Sequence, residues 1–515
     1  MITFFLSVVL LIVGYFVYGR VVEHVFSPDD RPTPAISKAD GVDFMVLPSW
    51  KIFMIQFLNI AGTGPIFGAI MGAKFGPASY LWIVGGCIFA GATHDYLSGM
   101  LSIRNDGAGQ PVIVGKYLGR VARDIMMIFC TFLLIMVGVV FVYSPATILA
   151  GLCGTSMMWI MIIFVYYLIA TLLPVDKVIG KIYPIFAFSL LFMAAALFVV
   201  LCVKMPQIPE LWDGLGSYLP DDKGILFPYL FITIACGAIS GFHATQSPLM
   251  ARCMKSERQG RPIFFGAMVT EGIVALIWAT VASYFFYGQP TPGYALMEKA
   301  QATGFATSAP MVVNIICNEW LGTVGAILAL LGVVAAPITS GDTALRSARL
   351  IIADMLHVHQ RELTKRLIIC IPVFTAAIAL LMWQINNQEG FNVVWQYFGW
   401  SNQTLSVFTL WAITVYLAKA HKWFVITLLP AIFMTAVCTT FFLTAPIALG
   451  LPWAGGCQVA AIFTLILTIW FFLWLRSVRM QDRDIEHKDR TLSINPRQFR
   501  EAKSAKNVGG MDKKC

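Results

Sequence analysis

Titratable side chains lie within strongly apolar stretches of this 515-residue chain. They are Asp95 in GATHDYLSG, His243 in SGFHATQSP, Glu271 in GAMVTEGIVALIW and Asp342 in TSGDTALRSAR. An ionised group inside an apolar span is costly, which makes each a candidate for function. Histidine titrates near neutral pH, and burial makes a carboxyl group easier to protonate. We predict that one or more of the four carries a coupling proton; the alternative for each is a hydrogen-bonded structural polar group.

The stretch AGTGP, residues 61–65, lies in the middle of a long apolar run. Glycine weakens a helix and proline removes a donor, so we predict a broken membrane helix here. A break frees N–H groups that can hold a carboxylate and C=O groups that can hold a cation. Close helix packing through small residues is the alternative. The predicted substrate ligands are Ala61, Gly62, Thr63 and Gly64.

A second break is predicted within SGFHATQSP, in the seventh of the apolar segments. His243, Thr245 and Gln246 lie in this stretch and would face the substrate from the opposite side. The two breaks are five helices apart and, in the orientation given below, run in opposite directions. Such an arrangement indicates an inverted repeat of five plus five helices.

A third polar break is predicted at APITSGDTALRSAR, residues 336–349. Thr339 and Ser340 would offer hydroxyl oxygens to a sodium ion, together with carbonyl groups freed at AGTGP. Asp342 and Arg346 are four residues apart and can pair on one helix face. The alternative is a helix end that Ser340 or Asp342 caps, without a role in binding.

These residues need membrane helices to position them. The chain is 58% hydrophobic and 12% charged, with a mean hydropathy of +0.75, which is typical of a polytopic membrane protein. We predict an all-α protein with about 13 transmembrane helices. The predicted spans lie near 2–19, 50–73, 78–102, 124–150, 156–174, 182–203, 225–250, 263–287, 321–345, 366–385, 400–418, 423–445 and 454–475.

The basic residues indicate the orientation. With the N-terminus outside and the C-terminus in the cytoplasm, most of the 36 lysines and arginines fall on the cytoplasmic side. The net charge of +9 is therefore interpreted as the result of basic residues in cytoplasmic segments and not as a sign of a nucleic-acid-binding surface. The eleven cysteines contain no CxxC pair, so neither a disulfide framework nor a cysteine metal site is predicted.

We predict five parts of the chain. They are an extra N-terminal helix and cytoplasmic loop (1–48), a first repeat (49–217), a second repeat (218–420), two C-terminal helices (421–476) and a cytoplasmic tail (477–515). The eleventh helix is expected to begin with WQYFGWSNQTLS. There Trp395, Asn402 and Gln403 form either an outer gate or an interfacial belt, and both interpretations stay open.

Several of these stretches resemble the carbon starvation protein A family, peptide and pyruvate transporters of bacterial inner membranes. The similar stretches are IAGTGPIFG, CGAISGFHATQSPLMARC, EGIVALIWA, TSGDTALRSAR and FGWSNQ. The resemblance implies a transporter of the amino acid–polyamine–cation superfamily with a five-plus-five inverted (LeuT-like) core. It further implies proton-coupled uptake of pyruvate or short peptides, no cofactor beyond the coupling ion, and induction during carbon starvation.

The chain departs from that family just before the first break. Family members often carry an HHF motif there, whereas this sequence has Ile55, Gln56 and Phe57. Pyruvate or peptide as substrate, and proton or sodium as coupling ion, are left open, and so is the oligomeric state. A sodium-coupled amino acid symporter and a nutrient sensor with a transporter fold remain alternatives. An intramembrane enzyme is disfavoured because no Walker loop, HExxH or GxSxG motif is present.

Overall fold

The computed structural model describes residues 1–39, 44–151, 153–172, 179–219, 225–287, 309–356, 358, 363–387 and 389–493. Within those ranges the chain is built of helices and contains no β-strand. A helix satisfies all of its backbone hydrogen bonds internally, which is what long apolar segments in a bilayer require.

The first part of the chain contains eleven α-helices among the described residues. They are α1 (Ile2–Phe16), α2 (Tyr18–Phe26), α3 (Pro34–Ser37), α4 (Ser49–Ile60), α5 (Ala69–Ala73), α6 (Ala78–Gly85), α7 (Ala92–Arg104), α8 (Gln110–Leu118), α9 (Arg120–Ala150), α10 (Ser156–Leu172) and α11 (Ile179–Lys204). Two π-helical turns, π1 (Gly64–Gly68) and π2 (Gly86–Gly91), lead into α5 and α7.

The second part begins after residue 224 in the described ranges. Its α-helices are α12 (Leu226–Thr233), α13 (Gly241–Ala251), α14 (Gly266–Tyr287), α15 (Ala309–Met355), α16 (Leu363–Asn386), α17 (Gly390–Lys419), α18 (Val425–Thr444) and α19 (Trp453–Ser493). A third π-helical turn, π3 (Arg261–Phe265), leads into α14.

Several of these helices are able to cross a membrane. Seven helical stretches of the described residues are long and apolar enough, and an eighth span results if α4 and Gly64–Ala73, which meet at 52°, form one bent span. The all-helical, multi-span character of the chain is thus confirmed. Each of the thirteen predicted segments overlaps one or more helices among the described residues, but their number as membrane crossings stays a prediction.

The predicted third break is wrong. Residues 336–349 lie inside α15, where the only non-helical backbone is at Gly322, with a φ of 63°. Two threonine hydroxyl groups of this stretch bond back to carbonyls of their own helix. Thr339 donates to the Ala336 carbonyl at 2.8 Å and Thr343 to the Ser340 carbonyl at 3.0 Å. This back-bonding lets a polar stretch remain helical inside an apolar environment.

The C-terminal region differs from the predicted division into helices and tail. Helix α19 continues through residue 476 to Ser493, and residues 494–515 of the predicted tail lie outside the described residues. Met1–Ala460 form one compact unit, and Ala461–Cys515 form another. The boundaries between the two predicted repeats fall inside the first unit and stay predictions.

Candidate functional site

Three of the four predicted titratable residues meet in one buried cluster. Asp95 Oδ1 lies 2.8 Å from His94 Nδ1, and Asp95 Oδ2 lies 2.8 Å from His243 Nδ1. On the other side of the ring, His243 Nε2 lies 3.4 Å from Glu271 Oε2. All four side chains are completely buried. Asp95 thereby fixes the His243 ring so that Nε2 points at the Glu271 carboxylate.

Local backbone geometry brings the three helices of this cluster together. The π2 turn directly precedes α7, which carries Asp95, and π3 directly precedes α14, which carries Glu271. Single π turns occur frequently at functional sites. At the end of π2, a Cβ atom on Gly91 would lie 2.1 Å from the Ala238 carbonyl oxygen. Glycine is therefore required for α7 to approach the chain that leads to His243.

The first break lies at the predicted place. Residues Ala61–Thr63 separate α4 from Gly64–Ala73. The Gly62 and Thr63 N–H groups donate no backbone hydrogen bond within the described part of the chain. The buried Thr63 hydroxyl and the Asn59 side-chain oxygen also have no partner among the described residues. Polar groups of this break are therefore left unpaired.

The second break lies earlier than predicted. The unwound residues are Ile234–Ser240, and α13 begins at Gly241, so that His243 lies in the first helical turn and not in the break. Gly237 adopts a φ of 89°, which side chains with a Cβ atom rarely tolerate. The unwinding thus falls on CGAIS, where this glycine permits it. SGFHATQSP was misinterpreted because its small polar residues are also those that begin a helix.

The two breaks touch. A Cβ atom on Gly64 would lie 2.3 Å from Cys236 Sγ, and one on Gly237 would lie 2.6 Å from the Ala275 Cβ. Ala275 is one helical turn after Glu271 on α14. The breaks and the titratable cluster therefore form one continuous buried region.

Two of the predicted gate residues, Asn402 and Gln403, form hydrogen bonds at the second break. Helix α17 begins at Gly390, so Asn402 and Gln403 lie in its middle and are buried, contrary to the expected helix start. Asn402 Oδ1 accepts hydrogen bonds from the Phe242 N–H at 2.6 Å and from the Ser240 hydroxyl at 3.0 Å. Gln403 Nε2 donates to the Phe231 carbonyl at 2.9 Å. Adjacent amides thus hold both ends of the break.

Trp395, the third predicted gate residue, is also an interior side chain. It is only 4% exposed and stacks on Phe391 with ring centroids 5.9 Å apart. It contacts Phe67 of π1 as well, at 6.0 Å. This burial contradicts the interfacial belt for Trp395, and the gate stays a prediction.

The predicted sodium ligands, Thr339 and Ser340, lie on α15, and Ser340 contacts the first break. The Ser340 hydroxyl donates to the Leu58 carbonyl at 3.2 Å, at the C-terminal end of α4. Asp342 lies outside the titratable cluster and pairs with Arg346 instead. Its Oδ1 lies 3.6 Å from Arg346 Nη2. The structure therefore brings Ser340 to the break and places Asp342 in a separate ion pair.

The remaining predicted ligands, Thr245 and Gln246, lie on α13. The Thr245 hydroxyl donates to the Phe242 carbonyl at 2.7 Å, and Gln246 Nε2 donates to Thr245 Oγ1 at 2.9 Å. Gln56, at the position where the family often has histidine, donates through Nε2 to the Ser247 hydroxyl at 3.3 Å. One of the two residues that depart from the family pattern thus ties α4 to α13, one turn from His243.

A second ionic network joins the C-terminal end of α7 to the segment between α13 and π3. Arg104 donates to both oxygens of the fully buried Glu257, at 3.1 and 3.0 Å, and Glu257 accepts from the Asp29 N–H at 3.0 Å. The Arg31 side chain donates to Asp29 and holds the pKa of that carboxyl well below its usual range. We call Asp29, Arg31, Arg104 and Glu257 the charge clamp. Arg104 and Glu257 are far in sequence from Asp29 and Arg31, and the four residues match no motif, so the clamp could not be predicted from the sequence.

Comparison with known proteins decides the family. A sequence profile described as carbon starvation protein CstA matches residues 1–152, 142–289 and 292–441. The chain belongs to the CstA family. It is 44% identical to a membrane protein of Haemophilus influenzae over 56% of this chain and 91% of that relative. It is 26% identical to the peptide transporter CstA of Helicobacter pylori, over 84% of this chain and 79% of that protein.

Another relative is named for a different substrate. The pyruvate/proton symporter BtsT of Escherichia coli is 27% identical over 56% of this chain and 50% of its own length. The CstA and BtsT relatives are named as transporters and not as enzymes, and the profile match confirms the resemblance seen in the sequence. The CstA-family chain is a membrane transporter.

A solved structure supports the same architecture. The manganese transporter of Eremococcus coleocola, in complex with an aromatic bis-isothiourea substituted compound, matches with a TM-score of 0.52. The match covers 85% of this chain and 98% of that chain at 12% identity. Identity this low shows a common transporter fold alone.

Proposed function

We propose that the protein is a secondary transporter of the bacterial inner membrane that imports pyruvate or short peptides together with protons during carbon starvation. The observation that carries the proposal is the buried Asp95–His243–Glu271 chain. Three ionisable groups on three helices are costly inside a membrane and are typical of a proton path. The names of the CstA and BtsT relatives supply the two substrate classes.

The proposed architecture has thirteen spans around a five-plus-five inverted repeat. The N-terminus lies outside and the C-terminus in the cytoplasm. The two touching breaks support this arrangement, because inverted-repeat transporters bind substrate at discontinuous helices that meet near the membrane centre. Alternating access then rocks the broken helices against the remaining ones.

The substrate carboxylate is assigned to the first break. Gly62, Thr63 and Gly64 offer N–H groups and one hydroxyl at the start of the half-helix, where the helix dipole favours an anion. The unpaired Thr63 hydroxyl supports this assignment. Ala61 lines the same break, and Thr245 and Gln246 on α13 would contact the rest of the substrate.

His243 is the proposed proton carrier. Its two ring nitrogens face two carboxylates, with Asp95 at 2.8 Å and Glu271 at 3.4 Å. A protonated ring donates to both carboxylates, whereas a neutral ring donates only to one. Loss of the proton therefore weakens the tie between α13 and α14, which couples proton release to helix movement.

Uptake into proteoliposomes tests the proposal. Purified protein is given labelled pyruvate under an inward proton gradient in sodium-free buffer, with and without excess dipeptide. We expect accumulation that collapses when a protonophore is added, and inhibition by dipeptide if both substrates share the site. Substrate binding without any uptake would overturn the proposal in favour of a nutrient sensor.

Sodium coupling is the second candidate, and Ser340 favours it. Its hydroxyl lies beside the C=O end of α4, where hydroxyl and carbonyl oxygens could coordinate a cation, with Thr339 adjacent in sequence. Uptake that requires sodium and ignores the proton gradient would select this candidate.

A further inference from the structure

Cys236 of the second break adds a thiol to the buried pair of His243 and Glu271. The Cys236 sulfur, a ring nitrogen of His243 and a carboxylate oxygen of Glu271 all lie within 4.8 Å of one another. All three residues are buried. Zinc binds its ligands at about 2.0–2.3 Å, so the ligand atoms around one tetrahedral ion are about 3–4 Å apart. Small movements of these side chains would therefore bring them into contact with one ion.

We propose that Cys236, His243 and Glu271 form a binding site for a Zn²⁺ ion, and that the bound ion inhibits transport. Thiolate and imidazole ligands suit Zn²⁺, whereas Mg²⁺ and Ca²⁺ prefer oxygen ligands alone. A thiolate and a carboxylate together balance the charge of the ion. Three protein ligands leave the fourth tetrahedral position to water.

The atoms that would face the ion lack hydrogen-bond partners. His243 Nε2 and both Glu271 oxygens have none among the described residues, although both side chains are completely buried. The 3.4 Å between Nε2 and Glu271 Oε2 is longer than a normal N–H···O hydrogen bond, but it suits two ligand atoms of one tetrahedral ion. Buried polar atoms in this state call for an explanation, and a bound cation supplies one.

Neighbouring side chains orient two of the ligands. Asp95 Oδ2 lies 2.8 Å from His243 Nδ1, where it accepts the Nδ1 proton and leaves Nε2 as the metal ligand. Histidines that bind metal ions commonly donate their other ring N–H to a carboxylate in this way. Asn402 Nδ2 donates to Cys236 Sγ at 3.6 Å, which stabilises a thiolate.

The three ligands come from different segments of the chain. Cys236 lies in the unwound residues Ile234–Ser240, His243 in the first turn of α13, and Glu271 on α14. No spacing motif links them, so the sequence did not predict a metal site here. An ion bound by all three would tie the second break to α14 and occupy the ring nitrogen that faces Glu271. Its inhibitory effect rests on the proposed function, whereas its binding does not.

Binding is tested with Co²⁺, whose thiolate complexes absorb in the near ultraviolet, on purified protein without an affinity tag. We expect the wild type to show a thiolate-to-cobalt band that Zn²⁺ removes and excess Mg²⁺ does not. Cys236→Ser should lose the band. Cys130→Ser removes another buried thiol, on α9, and is the matched control that should keep the band.

Inhibition is tested in proteoliposomes with whichever labelled substrate, pyruvate or a dipeptide, the wild type takes up. The uptake of each variant with Zn²⁺ is compared with its own uptake without Zn²⁺. We expect Zn²⁺ to inhibit the wild type and Cys130→Ser alike. In Cys236→Ser the Zn²⁺ concentration for half inhibition should rise about tenfold or more, as expected when a group that supports a metal site is lost.

A wild type without the cobalt band, or a folded Cys236→Ser protein that keeps it, would overturn the inference. If Cys236→Ser does not fold, Glu271→Gln takes its place in the binding assay, and an unchanged Co²⁺ affinity of that variant overturns the site. Zn²⁺ binding that leaves wild-type uptake unchanged would refute the inhibition. Failure of the proposed function is distinct, because the wild type then shows no uptake without Zn²⁺ while the cobalt band can still be measured.

Discussion

The two breaks of this transporter differ in the side chains that reach their backbone ends. At the second break, Asn402 accepts from the Phe242 N–H at the start of α13, and Gln403 donates to the Phe231 carbonyl near the end of α12. At the first, Ser340 contacts the C=O end, while the Thr63 hydroxyl has no partner among the described residues. The difference teaches that an unwound segment alone does not define a binding site. A binding site also needs polar groups that the fold leaves unsatisfied.

Blocking the contact between the breaks should have the largest effect. Gly64→Leu places a side chain where even a Cβ atom would lie 2.3 Å from Cys236 Sγ. We expect substrate uptake to fall to background while membrane insertion is retained, measured by proteoliposome uptake and by the yield of folded protein. Gly85→Leu is the control, because nothing lies within 4 Å of a Cβ atom there. Normal uptake by a folded Gly64→Leu protein would remove AGTGP from the site.

Replacing the proposed proton carrier should have the next largest effect. Glutamine at His243 can still form hydrogen bonds with Asp95 or Glu271 but cannot carry a proton. We expect His243→Gln to lose proton-driven accumulation while still exchanging labelled for unlabelled substrate at equal pH. Asp342→Asn, outside the cluster, should keep proton-driven accumulation. If uptake by His243→Gln still depended on the pH gradient, the proton carrier would be a carboxylate and not His243.

Removing one hydroxyl from each break sharpens the comparison between them. A hydrogen bond to a charged group contributes about 1.5–3 kcal/mol, so Thr63→Val should raise the substrate KM about tenfold or more. Ser240→Ala removes a hydroxyl that already bonds to Asn402, and its KM should change less than threefold. Equal KM changes in the two variants would contradict the assignment of the carboxylate to the first break.

The smallest effect is expected at Ser340. Ser340→Ala removes one neutral hydrogen bond to the Leu58 carbonyl, which contributes about 1 kcal/mol and corresponds to a few-fold loss of uptake rate. The loss should be the same with and without sodium if protons drive transport. A loss seen only in sodium-containing buffer would favour the sodium-coupled candidate.

Much of the fold was predictable because apolar segment length and the Gly–Pro signal at AGTGP act locally. The same local signals failed at residues 336–349, where hydroxyl groups bonded back to their own helix, and at SGFHATQSP, which begins a helix instead of breaking one. Asp95, His243 and Glu271 could be selected singly because charge in an apolar span is rare. Their convergence in one cluster could not be predicted from the sequence, since it depends on packing between helices far apart in sequence.

The hydrogen bond between the Asp29 N–H and Glu257 within the charge clamp spans 228 residues of sequence. The ribosome adds about 5–20 residues per second, so roughly 10–45 s pass between the synthesis of Asp29 and that of Glu257. During that interval the first helices are already made, but the Asp29 N–H has no Glu257 carboxylate to which it can donate. The charge clamp can therefore close only after Glu257 has been made, and substitutions at Glu257 should lengthen the time for which nascent chains are exposed to quality-control proteases.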